Sequence, residues 1–435
     1  NAEDYLKICL RRIGESNTQP FEIIVVDDGS TDASLTVAKD FGAVVLSTED
    51  RHGPARARNI GAKAAKGEIL FFIDSDVCVL PDTISRLVWR YSENPNLDAL
   101  IGSYDNSPGS RDFLSLYKNL MHCFVHQNAR EEACTFWSGC GAIRRTVFLE
   151  HGGFDDSYRR PAIEDIELGY RLKAAGRTLQ MDRQMQVKHL KRWTFTNLIV
   201  TDVMHRGIPW TELILRDRKM PNDLNVRVSE RISVALVFIL FFLALLGAVR
   251  YNGQFLVPVI SLLLFVHARF WAETAAQPGT KTAFAVVSGL VGLFIWLCYT
   301  HGMMPMVPTV LVGYLLLFLR QQFASGSERP RKWTGLACAV YLVSGFLFTL
   351  TFLPARPIVF LFYILLLVVI ILNNQFYVFL ASRMGSLAAI AIIPFHILYH
   401  FYNGISFAIG VCLHVLRLAS ASFKTRPLPR TDHQP

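Results

Sequence analysis

No two cysteines in this chain stand in C-x-x-C spacing, although there are eight in all. That absence removes the ligand spacing of a zinc ribbon, and the scatter argues against a disulfide framework. Reduced thiols facing the cytoplasm are the simplest state. No signal peptide or lipidation motif opens the chain, so membrane insertion is expected from internal segments. Neither internal repeats nor low-complexity tracts suggest another organisation. Charge is what the second half lacks: after Arg231, long runs carry almost none. Acidic residues are nearly absent from those runs, which removes the coupling-ion chemistry of a transporter.

What is present fits two parts. A chain of 435 residues with 51% hydrophobic content is long enough for more than one domain and too apolar to be wholly soluble. The first half mixes charge and apolar residues as a globular domain does. The second half offers apolar stretches of near-bilayer length at about 232–249, 254–270, 283–300, 303–320, 335–353 and 357–373. The formal charge of +9 does not point to nucleic acid. Basic residues cluster beside the apolar stretches, at 206–231, 329–332 and 417–430, as cytoplasmic flanks of membrane spans do.

In the soluble half, residues 2–15 space apolar side chains as an amphipathic helix would. An apolar strand at 23–26 then runs into Asp27 and Asp28, followed by a helix to about Phe41 and a short strand at 43–46. An Ala-rich helix carrying Arg56, Arg58 and Lys63 leads to GEILFFIDSDVCVLP at 67–81. There the apolar run 69–73 ends in Asp74 and Asp76. This β-α-β-α-β alternation predicts a doubly wound α/β sheet. Ligands in such sheets bind beyond the carboxyl ends of the strands. Two strand tips armed with Asp pairs and neighbouring arginines predict a nucleotide site, and hard oxygen donors there suit Mg²⁺ or Mn²⁺ carrying phosphates.

The segments VVDDGSTD and GPARARNIGAKAAKGEILFFIDSD resemble the nucleotide-sugar-binding half of family 2 glycosyltransferases, whose fold is GT-A, a Rossmann-like α/β arrangement. The resemblance implies that Asp27 or Asp28 contacts the base or ribose of the donor, and that Arg58 and Asn59 line the donor site. It implies that Asp74 and Asp76 form the D-x-D pair, with Asp76 the direct metal ligand. CTFWSGCGAIRRTVFLEHGGFDD resembles the acceptor-side segment, in which Gly139 and Gly141 would permit close backbone approach. By the same resemblance, the Glu164–Asp165 pair opening the helix of AIEDIELGYRLKAAG supplies the catalytic base, at Asp165, and that carboxylate should stay ionised. His189, after a strand at 178–187, matches a histidine that many GT-A enzymes use as a further metal ligand. Arg192 and Trp193 match the end of the QxxRW motif of processive synthases, with His189 in place of its Gln; Arg192 would pair with phosphate and Trp193 stack on a sugar. The family also has an apolar strand ahead of the first helix, which is not among these residues; whether the sequence is a fragment stays open.

These readings divide the chain into a catalytic domain (1–195), an interfacial amphipathic linker (196–231), a transmembrane domain with about six spans (232–420) and a basic tail (421–435). Residues 387–416 are long for one span and short for two. This C-terminal segment is either a single span, which would place the basic tail outside, or a re-entrant or interfacial hairpin at Asn403 and Gly404, the preferred reading. His396 and His400 would line an acceptor groove or pack in an aromatic belt. The expectation is an inverting, metal-dependent glycosyltransferase in a bacterial plasma membrane, its catalytic domain cytoplasmic. It would take a nucleotide-diphosphate sugar and a lipid-linked or glycan acceptor among membrane lipids. A processive polysaccharide synthase and a non-catalytic nucleotide-sugar-binding membrane protein are the alternatives.

Overall fold

The computed structural model describes residues 1–48, 51–250, 291–293, 295–296, 299–300 and 357–424. They fall into two compact units. One is Asn1–Ser110 with His122–Arg227 and the C-terminal stretch from Tyr402; the other is Arg111–Met121 with Val228–Phe401.

The first unit opens on helix α1 (Glu3–Gly14), with Glu3 and Asp4 in its first turn and Arg11 and Arg12 in its last, the polarity its dipole favours. Leu6 and Leu10 bury against Ala38 of α2 (Ser34–Asp40). Strands β1 (Ile24–Asp27) and β2 (Val44–Ser47) pair in parallel, and α3 (Pro54–Ala64) starts with Pro at its first turn after Gly53. Gly53 sits at φ +92°, and a Cβ there would run into the backbone of Arg159, so only glycine serves.

The remaining strands build a second, five-stranded sheet in the order β3-β6-β5-β7-β4. They are β3 (Ile69–Ile73), β4 (Val77–Val79), β5 (Ala99–Tyr104), β6 (Cys140–Arg144) and β7 (Leu179–His189). This sheet is mixed, and β1 and β2 pair apart from it, which corrects the expectation of one doubly wound sheet holding β1, β2 and β3. Only β5 and β7 run in parallel within it, while β6 lies antiparallel between β3 and β5, and β4 antiparallel to β7. The cause is local: after Asp74 the chain turns, with Val77 N–H donating to the Asp74 carbonyl, and starts β4 at once. A three-residue strand has too little length to show a period, so the sequence hides it.

Helices α4 (Thr83–Glu93), α6 (Arg145–Glu150) and α7 (Glu164–Ala174) complete the α/β layer, and α5 (Phe113–Gln127) is divided between the two units at Met121 and His122. The core of the layer gathers Leu70, Ile101, Ile143, Phe136, Phe148 and Phe154, with Phe72 packed against them. Phe72 meets Phe148 and Phe154 at 5.2 Å between ring centroids. Each such ring pair adds about 0.5–1.5 kcal/mol beyond its buried area.

Residues 194–217 form α8 (Phe195–Val200), a π-helical stretch (Thr201–Gly207) and α9 (Ile208–Asp217). The Thr194 hydroxyl caps α8 by accepting from Asn197 N–H. Within the same unit, Tyr402 donates to the buried Asp202 at 2.7 Å, and Gly207 and Gly410 leave no room for a Cβ against Ser406 and Thr211.

The second unit is helical: α10 (Val228–Arg250), α11 (Pro357–Leu372), α12 (Asn374–Met384) and the start of α13 (Ser386–Lys424). Among the described residues, 228–247 and 388–419 are long and apolar enough to cross a membrane, and α11 with α12 is a pair bent by 66°. The expected hairpin at Asn403 and Gly404 is not there. Instead α13 runs unbroken for 39 residues through Pro394 and both positions. The break lies at Asn373, whose side chain donates to Ser233 Oγ and to the Val369 carbonyl. The expected stretches at 254–270, 303–320 and 335–353, and most of 283–300, lie outside the described residues.

Candidate active site

The two acidic strand tips have different surroundings. Asp27, at the end of β1, is buried and accepts from the Gly29 and Ser30 N–H groups, closing its own turn. Asp28 accepts from the His52 and Gly53 N–H groups at 2.8 Å each and from the Thr48 hydroxyl at 2.9 Å. Partial burial pushes its pKa up, but these three donors outweigh it and hold the carboxyl below its ordinary range. Both residues therefore shape the loop between β1 and α3.

Arg58, from α3, is the hub of the site. Its guanidinium forks between Asp74 Oδ1 (2.6 Å) and Glu164 Oε1 (2.8 Å), joining the end of β3 to the start of α7. Burial alone would lower its pKa; the carboxylates of Asp74, Glu164 and Asp165 raise it further than burial depresses it. Glu164 is 3% exposed and gives its other oxygen to Ala162 N–H, so both its oxygens are spoken for. Asn59, beside Arg58, is buried and makes its hydrogen bonds to Phe154 and Asp156. Its amide ties α3 to the Gly-Gly-Phe-Asp turn.

Asp76 and His189 face each other across β4 and β7, with Oδ2 and Nε2 3.6 Å apart. Register explains the meeting: Val77 pairs with His189, so the residue before β4 lies beside the end of β7. His189 stacks on Tyr104 with ring centroids 4.5 Å apart and planes 8° from parallel. Burial pushes the Asp76 carboxyl up, while His189 and Lys191 pull it down, for a net lowering. One oxygen and one nitrogen at this separation fit two ligands of a single divalent cation. Asp74 does not join them: its Oδ1 is turned to Arg58. Among the described residues the only three-residue group of converging metal donors lies elsewhere, in the helical unit.

Asp165 is half-buried at the first turn of α7. Ser138 donates to its Oδ2 twice, through N–H at 3.0 Å and hydroxyl at 3.1 Å. Withdrawal from water, and then the charge of Glu164, push its pKa up to about 6, against the pull of Ser138 and Arg58. The sequence expectation of a carboxylate ionised at neutral pH therefore holds only above that value.

The acceptor-side expectations divide. Gly139 and Gly141 are both buried, and a Cβ on either would strike Trp137 or Phe136. Their bareness admits the close approach of those two residues. Trp193 is 2% exposed under the Lys191 ammonium, 4.4 Å from the ring centroid, so it presents no stacking face to solvent, while Arg192 is exposed. Sequence reasoning passed over Ser138 and the ring assembly around Tyr104. That assembly includes Trp137, edge-on at 4.6 Å, and the buried His126, whose pKa burial and then Arg206 push down to about 3. Ser138 stood beside Gly139 in a stretch already singled out; the signal for Tyr104 exists only after β5 and β7 pair.

Comparison with known proteins bears on the same residues. The profile described as Glycosyl transferase family 2 matches residues 1–153. This chain carries a glycosyl transferase family 2 domain. The family 2 domain is similar to glycosyltransferase GlyG of Streptococcus pneumoniae, 38% identical over 154 residues, which is 34% of this chain and 51% of that protein. An uncharacterized glycosyltransferase of Haemophilus influenzae is 31% identical over 173 residues, 38% of this chain and 57% of that protein. The chain thus spans little more than half the length of these two relatives. Among solved structures, the mannosyltransferase PcManGT from Pyrobaculum calidifontis, in complex with GDP-Man and Mn²⁺, aligns with a TM-score of 0.41 at 15% identity, covering 80% of this chain and 84% of that one.

Proposed function

We propose that the family 2 domain moves a sugar, with inversion, from a nucleotide-diphosphate sugar to a lipid-linked or glycan acceptor at a membrane. The observation that carries this reading is the division of labour among the carboxylates. Asp165 is held by the neutral Ser138 rather than by the Arg58 fork, and it is poised near pH 6. Asp76 with His189 forms a separate pair, and Arg58 locks Asp74 and Glu164 together. A base must act apart from the leaving group, and the separate hydrogen-bond partners of Asp165 and Asp76 support that assignment.

Asp165 accepts the acceptor hydroxyl's proton at a carboxylate oxygen as that hydroxyl attacks the anomeric carbon. Ser138 keeps the carboxylate aimed and, by favouring its charged form, keeps it ionised and able to accept a proton at neutral pH. Glu164 does not share the proton; it positions Arg58. Asp76 and His189 would hold a Mg²⁺ or Mn²⁺ ion, which when bound neutralises charge on the departing diphosphate. The apolar helices 228–247 and 388–419 support a membrane setting and hence a lipid-linked acceptor.

The test is release of nucleotide diphosphate from a panel of UDP-, GDP- and dTDP-sugars, with and without EDTA, using native membranes and a lipid extract as acceptor source. Release from one donor, lost with EDTA, is expected. No release from any donor by folded protein would favour the non-catalytic binding alternative.

A further inference from the structure

The helical unit holds a cluster that sugar transfer does not use. Helix α13 carries His396 and His400 four residues apart, so both rings leave the same face, and Glu230 comes from the first turn of α10. One donor atom from each of the three lies within 4.8 Å of the other two. His400 Nδ1 is 3.9 Å from Glu230 Oε2, and the two imidazole centroids are 4.5 Å apart. Ligands on a tetrahedral zinc with bonds of about 2.0–2.1 Å sit about 3.3 Å from one another. A small closure of the pair suffices.

The state of His400 is the second observation. Its ring is 1% exposed, yet neither nitrogen has a hydrogen-bond partner among the described residues. A buried polar group left unsatisfied costs about 1–3 kcal/mol, and a metal bond would satisfy one nitrogen. His396 is 3% exposed, and its Nδ1 lies 3.0 Å from the Tyr377 hydroxyl. An outer hydrogen bond of this kind orients a ligating imidazole. Two imidazoles and one carboxylate form a nitrogen-rich set that suits Zn²⁺, whereas Mg²⁺ and Ca²⁺ take oxygen.

We propose that Glu230, His396 and His400 form a Zn²⁺ site that pins α10 to α13. Three protein ligands leave a fourth position open. The ion is distinct from any cation at Asp76 and His189, and its role in the helical unit is structural.

The test uses the full chain in detergent or nanodiscs, stripped with EDTA and carrying Asp76→Asn throughout, so that the other candidate site does not contribute. Co²⁺ is the probe, read by its visible spectrum. Binding of one Co²⁺ per chain in a tetrahedral environment, displaced by Zn²⁺, is expected. His400→Gln and Glu230→Gln should each weaken it at least tenfold. X-ray absorption of the zinc-loaded chain should count two imidazoles, a readout that does not depend on how the variants fold. Absence of stoichiometric binding, an unchanged affinity in His400→Gln, or an imidazole-free shell would overturn the proposal.

Discussion

Asp165 concentrates the chemistry at the scale of single residues. With its pKa raised to about 6 by burial and Glu164, kcat/KM should fall about tenfold per pH unit below that value, the acidic limb of a general base. The sign for stability is opposite. A carboxyl raised from 3.8 stabilises the fold at pH below its unfolded value, and that contribution is lost as pH rises through about 6. Activity and stability should therefore move in opposite directions across this window. Ser138→Ala removes a donor that favours the charged form, so the limb of the pH–rate profile should shift upward, where a merely structural loss would leave its position unchanged. Arg58 is argued from burial: Arg58→Ala strands the 4%-exposed side chain of Glu164 without its partner. The expected cost is about 3–5 kcal/mol, read as a lower midpoint in denaturant melts of the soluble unit's signal. An unchanged midpoint would mean that the Arg58 fork contributes nothing to the fold.

Strand β3 was legible to the residue at the scale of elements, because ILFFI is an uninterrupted apolar run closed by two acids. Helix α7 was legible through its acidic first turn. Strand β4 was not, and with it went the antiparallel pairing to β7 that sets Asp76 against His189. The surroundings of Gly141 in β6 were not legible for a related reason. Gly141 is bare because strand pairing drives the Trp137 carbonyl and the Phe136 ring against it, a close approach that sequence cannot display. Gly141→Ala should accordingly destabilise the domain by about 1–3 kcal/mol through overpacking. The acceptor KM should be unchanged in the fraction that remains folded; a raised acceptor KM in that fraction would return Gly141 to the acceptor side of the site. The hairpin expected at Asn403 and Gly404 failed because small and polar residues there read as a break. In the structure they lie in a continuous helix whose Ser406 and Gly410 meet Gly207 and Thr211.

Across the whole molecule, the change to apolar sequence lies near the boundary at Arg227 and Val228, but local pattern does not show that Arg111–Met121 groups with the helical unit or that the stretch from Tyr402 groups with the α/β unit. The site was legible as a set of residue types but not as a set of partners. The aspartates were visible, whereas the sorting of Asp74 to Arg58, Asp76 to His189 and Asp165 to Ser138 depends on contacts 16, 113 and 27 residues apart in sequence. Local pattern does not reach that far. The account's central claim is that Asp165 moves the proton while other residues hold the donor. The most direct measurement compares wild type with Asp165→Asn for nucleotide-diphosphate release and, separately, for donor affinity. Release falling by at least about 10²-fold, with donor affinity within a few-fold of wild type, is the predicted result. Release that persists in Asp165→Asn would contradict the account.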